Sequence, residues 1–307
     1  MRLPRAVGSA APICPSGHAF LNIVPRPTMT IAAQGSRLEA IPRPASVLQR
    51  NVNLLRELAV TQFKLKYTGS ALGYVWSLVK PAMLFGIMYA VFSVLLRAGS
   101  STPDFTVQLL FAIVIWTFFT ESTVVAVNSV VASANLIRKA YFPRWIIVVA
   151  SILTALMTFL INAALIIVIT VPLGSMHLGL RSLAAPLLLV ELLMLIIGLS
   201  LLLSSLFVYY RDVGHIWEIC TLVLFYGSAI VYPFVLFQQH HVAVIAGLNP
   251  LAQIVEDLRH ALVTPGAPWT MTLLGGLYAV PVLLSVGVFV LGFYVFHRLT
   301  PRFAENL

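Results

Sequence analysis

From Ser46 onward the apolar positions first recur at helical spacing and then close up into long unbroken runs. Leu48, Val52, Leu55, Ala59 and Phe63 return at three- and four-residue steps, while Arg50, Asn53, Glu57, Thr61 and Lys64 fall on the opposite face. This alternation predicts an amphipathic helix over 46–70, opened by the S-x-x-Q spacing of Ser46 and Gln49. A helix carrying cations on its polar side (Arg50, Arg56, Lys64 and Lys66) lies in a membrane interface instead of crossing the bilayer. Lys66 breaks the alternation, and Gly69 and Gly73 end or bend the element. Six apolar runs follow, at about 75–97, 106–131, 145–173, 183–208, 216–237 and 270–297. Each meets the length of ~18–20 residues that a bilayer requires of a helix.

Residues 238–269 are too long for a turn and too weakly apolar to cross twice. Asn249-Pro250 splits the stretch; after it Leu251, Ile254, Val255, Leu258 and Leu262 share one face, with Gln253, Glu256, Asp257 and His260 on the other. The pattern predicts two short helices that dip partway into the membrane, which requires protein or a hydrated cavity around their backbone. A plain loop with one surface helix is the alternative. The expected fold class is therefore all-α integral membrane. It comprises six transmembrane helices, an N-terminal interface helix and a re-entrant helix pair before the last span. Pro81 predicts a kink or an early start in the first span, and Lys80 beside it can snorkel.

Composition agrees with this reading. The 307 residues are 60% hydrophobic and only 9% charged, too few charges for the surface of a soluble domain. The net charge of +9 is read through membrane orientation, not as a nucleic-acid footprint. Ten Lys/Arg up to Lys80 join Arg138, Lys139, Arg144, Arg211, Arg298 and Arg302 on one side, leaving Arg97, Arg181 and Arg259 on the other. The positive-inside rule then places both termini in the cytosol. Cys14 and Cys220 form neither a disulfide framework nor a metal site. Residues 1–45, rich in Pro, Ala and Arg, read as a disordered extension, and Met29 is an alternative start.

Enzyme chemistry finds no support. There is no Gly-Lys dipeptide and hence no phosphate-binding loop, no G-x-S-x-G, no H-E-x-x-H and no Cys-x-x-Cys. Glu121 and Glu191 lie inside apolar runs, with Glu218 near the start of the fifth. Such groups face the bundle interior, a cavity or a partner, so proton coupling stands against hydrogen bonding within the bundle, which is favoured. Tyr89, Trp116, Phe119, Phe225, Tyr226 and Tyr232 could stack on sugar rings, although aromatics also serve as packing. In "ANLIRKAYFPRW" (134–145), Arg138 and Lys139 could be topology anchors. Tyr141, Phe142 and Pro143 expose apolar surface on the same loop, which fits a docking site for a protein. The next loop on that side, "YYRDVGHIWE", carries Arg211 and Asp212.

These segments bring a resemblance into view. "FKLKYTGSALGYVWSLVKP", "SANLIRKAYFPR", "FVYYRDVGHI" and "HRLTPRFAENL" follow in an order similar to that of ABC-2 type permeases. The branch most resembled exports lipid-linked polysaccharides such as O-antigen, teichoic acid or capsule. The likeness runs from about residue 48 to the C-terminus, so 71–307 is expected to form the transmembrane domain.

The resemblance implies a coupling helix at Asn135, Leu136, Ile137, Arg138, Lys139, Tyr141, Phe142, Pro143 and Arg144. It also implies an outer gate marked by Asn249, Pro250, Glu256 and Arg259. It further implies a homodimer with two cytosolic ATPase subunits in a bacterial inner membrane. ATP and Mg would bind on the partner, with no cofactor in this chain. An undecaprenyl-type lipid-linked glycan is the expected cargo. A drug or lipid exporter of the same family, and an ion-coupled carrier using Glu121 or Glu191, are the alternatives.

Overall fold

The computed structural model describes residues 46–69, 73–95, 104–139, 142–174, 176, 179–231, 237, 243–264 and 266–303. The expected N-terminal extension, Tyr141 and Tyr232 lie outside them. Among the described residues every regular element is helical.

Helix α1 (Val47–Tyr67) begins where the capping spacing places it, with Ser46 Oγ accepting from the Gln49 amide at 3.2 Å. Only the second half of its apolar face is covered. Ala59 is fully buried while Leu48 and Val52 stay exposed. α1 lies along α5 (Trp145–Thr170), and Thr154 Oγ1 donates to the Ala59 carbonyl at 3.2 Å.

Five helical stretches are long and apolar enough to cross a membrane: Gly73–Leu95, Phe105–Ala132, Trp145–Thr170, Leu180–Tyr209 and Thr270–Arg302. The first contains α2 (Trp76–Tyr89), which continues as a π-helical turn to Leu95. Pro81 lies inside α2 without ending it. A proline lacks the amide that would bond the carbonyl four residues earlier, here that of Ser77. Asn162 of α5 supplies the missing donor, its Nδ2 reaching Ser77 O at 3.2 Å. A backbone acceptor that has lost its helical partner in an apolar setting is thus satisfied from a neighbouring helix.

The fifth apolar run differs from its expected extent. α7 (Val213–Gly227) has 15 residues, a rise of about 22 Å against the ~30 Å of hydrocarbon. It ends at Gly227-Ser228, and Ala229 takes a left-handed φ of 54° that no continuing helix permits. Residues 232–236 lie outside the described part. Among the described residues there are thus five helical stretches long and apolar enough to cross a membrane and one shorter apolar helix.

At its centre stands α3 (Phe105–Ala132), buried on every side between Leu109 and Phe119 except along a narrow stripe. It packs on α5, on α6 (Ala184–Tyr209) and on α7. The closest helix crossing joins α6 to α11 (Ala279–Leu299). A Cβ at Gly198 would lie 2.5 Å from the Cα of Phe289, so the absence of a side chain sets the separation of these helices.

Gly198→Ala is expected to lower the thermal unfolding midpoint in detergent, by the ~1–3 kcal/mol typical of overpacking. Gly287→Ala, on the partner helix α11 with nothing within 4 Å of its added Cβ, should lose no stability.

Candidate functional site

Helices α1, α2, α3 and α5 surround a cavity of about 880 Å³. α3 contributes a continuous stripe to its wall: Thr117, Thr120, Glu121, Val124, Asn128 and Ser133. Thr117, Glu121, Val124 and Asn128 recur at three- and four-residue steps, so one helix face carries them, with Thr120 beside them and Ser133 just past the helix end. The Thr117 and Thr120 hydroxyls donate to the carbonyls of Ile113 and Trp116, at 2.8 and 2.9 Å. Lys66 of α1 reaches in and forms an ion pair with Glu121. Its ammonium also donates to Thr158 Oγ1 at 3.2 Å and lies 5.1 Å from the Tyr67 ring centroid. Lys80 of α2 lines the same cavity and is exposed. Leu65, Trp76 and Val125 form an exposed apolar rim.

Glu121 thus has a cationic partner, although the spans themselves carry almost none. That partner is the residue that interrupts the amphipathic pattern of α1. Neither side of the pair is legible alone; the polar stripe along α3 is the signal that a cavity lies there. Glu191 behaves differently, accepting from Ser285 Oγ of α11 at 3.4 Å.

Directly beyond α3 comes α4 (Ala134–Lys139). Asn135, Leu136, Arg138 and Lys139 are exposed, whereas Ile137 is half-buried against the core. Arg138 and Lys139 make no ion pair with a described residue. Phe142 and Pro143 are half-buried. Arg144, grouped with them in the sequence, turns inward instead. It donates to the Thr300 carbonyl at the end of α11 and lies 5.9 Å from the Phe303 ring. Arg144 therefore ties the start of α5 to the end of the last span, which orders the base on which α4 stands. On the neighbouring loop Arg211 and Asp212 are exposed, with Arg211 5.2 Å from the Phe207 ring. Arg50, Arg56 and Lys64 are exposed along α1, and only Lys66 reaches the cavity.

The aromatic positions fall in different surroundings. Trp116, Phe119 and Phe225 are buried and pack on one another, with ring centroids 5.6 Å (Trp116–Phe119) and 5.3 Å (Trp116–Phe225) apart. They hold α3 against α7 and present no open wall. Tyr89 is half-buried on Phe85, and Tyr226 is half exposed.

Before the last span stand α8 (Ala243–Gly247) and α9 (Pro250–Leu262). Two short helices form as expected, and Asn249 caps α9 by accepting from the Leu251 amide at 3.0 Å while donating to Ser228 at 3.0 Å. The polar face of α9 does not meet solvent. Gln253, Glu256, Asp257 and Arg259 are no more than 2% exposed. α6 packs on α9, and α3 and α11 also touch it, so both of its faces are covered. Arg259 bonds Glu256 at 3.0 Å and the Ile230 carbonyl at 2.8 Å. Burial raises the Glu256 carboxyl above its ordinary range, and the Arg259 charge acts against that shift. Asp257 accepts from the Thr270 amide and hydroxyl, at 2.9 and 2.7 Å, and from Gln253 and Tyr278, at 2.9 and 3.2 Å.

Residues 53–263, from within α1 to just past α9, match the model of the ABC-2 type transporter family. The chain belongs to that family. Two O-antigen export system permease proteins RfbA of Klebsiella pneumoniae are 26% and 25% identical to it, each over 85% of this chain and 98% of the relative. An O-antigen export system permease protein RfbA of Myxococcus xanthus is 23% identical over 66% of this chain and 78% of its own length. The matched region of this ABC-2 chain contains the cavity, α4, α7 and α9, and omits the last span.

Replacing Asp257 by Ala leaves buried donors on Thr270, Gln253 and Tyr278 without their acceptor. The variant is expected to lose at least ~2 kcal/mol of stability, read as a fall in the unfolding midpoint of purified protein. Asp257→Asn, which keeps one acceptor oxygen, should recover part of the loss.

Proposed function

We propose that this chain is the membrane permease of an ATP-driven exporter that moves a lipid-linked polysaccharide from the cytosolic to the outer side of a bacterial inner membrane. The observation that carries the reading is α4: a short helix anchored by Ile137 that presents the unpaired Arg138 and Lys139 beside exposed Leu136. Cations ringing an apolar contact fit a docking surface for an ATPase subunit, on which ATP and Mg would bind. The excess of Lys/Arg on the α4 side supports a cytosolic position for it and for both termini. The printed names of the three relatives support the cargo class.

A homodimer with two ATPase subunits is part of the same reading. α7 exposes Ile216, Ile219, Leu222 and Val223 along one side, an apolar face that supports a second copy against it. With Glu121 paired to Lys66 and Glu191 bonded to Ser285, both intramembrane carboxylates have local partners, which supports structural roles over proton coupling.

Reversing charge at Arg138 and Lys139 together is expected to abolish export and co-purification of the ATPase while membrane insertion stays at the wild-type level. Normal export from that variant would refute the coupling role of α4.

A further inference from the structure

The cavity between α1, α2, α3 and α5 has a feature that packing does not explain. It gathers Lys66, Lys80, Glu121 and Asn128 in one cavity lined by apolar helices, beside an exposed apolar rim. Charged and amide groups in such a place stay ionised or solvated only where water or a polar ligand reaches them. Two cations against one carboxylate leave the cavity with an excess positive charge. The carboxylate is held by Lys66, and Lys80 makes no ion pair with a described residue.

We infer that this cavity binds the phosphate end of an amphiphile, with Lys80 and Lys66 as the cations that hold the anion. Glu121 is an internal anion that occupies Lys66 until the phosphate displaces it. The apolar rim formed by Leu65, Trp76 and Val125 takes the chain joined to the phosphate. The inference rests on the reading of the protein as an exporter of a lipid-linked cargo and names the part of that cargo which the chain grips.

The chemistry selects phosphate over a weaker anion. A carboxylate already sits on Lys66, so the incoming group needs higher charge and more acceptor oxygens to compete for that ammonium. The Lys66–Glu121 pair is also partly exposed, its side chains 31% and 23% accessible, so exchange does not require the fold to open. A pair of this exposure is worth little beyond its geometry, which keeps the displacement within reach of a binding event. The same α3 stripe runs through Ser133, the residue before α4. A ligand that alters the hold of Lys66 on Glu121 therefore acts on the helix that carries the docking surface.

The test uses the full chain, with any co-purifying subunits, in phosphatidylcholine nanodiscs, and measures retention of radiolabelled polyprenyl phosphate. Saturable binding is expected, with polyprenol about tenfold weaker or worse, the loss set by a charge-assisted contact. Lys80→Gln should weaken polyprenyl phosphate by about the same factor. Glu121→Gln should tighten it about fivefold, the upper range of a part-exposed ion pair, because Lys66 is released. The double variant Lys66→Gln/Glu121→Gln, which keeps the shape of the pair without its charges, should lose that gain. Inorganic phosphate at matched concentration should not compete, and phosphatidylglycerol should compete poorly.

Equal retention of polyprenol, no retention at all, or unchanged or weaker binding by Glu121→Gln would overturn the site. Full competition by phosphatidylglycerol would reduce it to a contact with bulk lipid, and full competition by inorganic phosphate would remove the role of the apolar chain. Such failures would leave ATPase co-purification intact, whereas loss of the export reading would show in co-purification without changing these affinities.

Discussion

A polar or charged group at membrane depth must find its partner inside the chain, because hydrocarbon supplies none. Much of this protein's architecture follows from that requirement. Lys66 meets Glu121, Ser285 meets Glu191, Arg259 meets Glu256 and the Ile230 carbonyl, and Asn162 serves the Ser77 carbonyl that Pro81 leaves open. Each contact joins segments distant in sequence or holds a short helix in place. Apolar packing alone discriminates weakly among helix neighbours in lipid, where every surface is similarly greasy; these polar pairs select the arrangement.

The requirement is strongest around α9. A helix with a polar face would ordinarily turn it to water, yet α9 is covered on both faces by α6, α3 and α11. Burial is tolerable because Asp257 gathers four donors and Arg259 has both a carboxylate and a carbonyl. These contacts tie α9 to the segments around it. The close α6–α11 crossing at Gly198 supports the same region through backbone contact.

α3 links the remaining parts. Its most buried faces build the core and the aromatic contact with α7, its polar stripe lines the cavity, and its last turn leads directly into α4. A displacement at the cavity and a displacement at α4 are therefore movements of one element. Arg144 anchors the following helix, α5, to the end of the last span.

Helical class, the amphipathic pattern and capped start of α1, the apolar runs and the pair of short helices before the last span were all legible in the sequence. They depend on local periodicity and on run length, which the chain carries residue by residue. The exposure of Arg138 and Lys139 was legible for a related reason, since cations clustered in so apolar a chain mark themselves. What only the tertiary structure decided was pairing and burial. Lys66 looked like a flaw in an amphipathic pattern until Glu121, 55 positions away, stood beside it. Trp116, Phe119 and Phe225 had the composition of a sugar-binding wall and proved to be core, because an aromatic's role depends on whether another helix covers it. The polar face of α9 was legible as a face, while the protein groups that cover it were not. Periodicity reports which residues point the same way, while what they point at is set by the packing of the other helices.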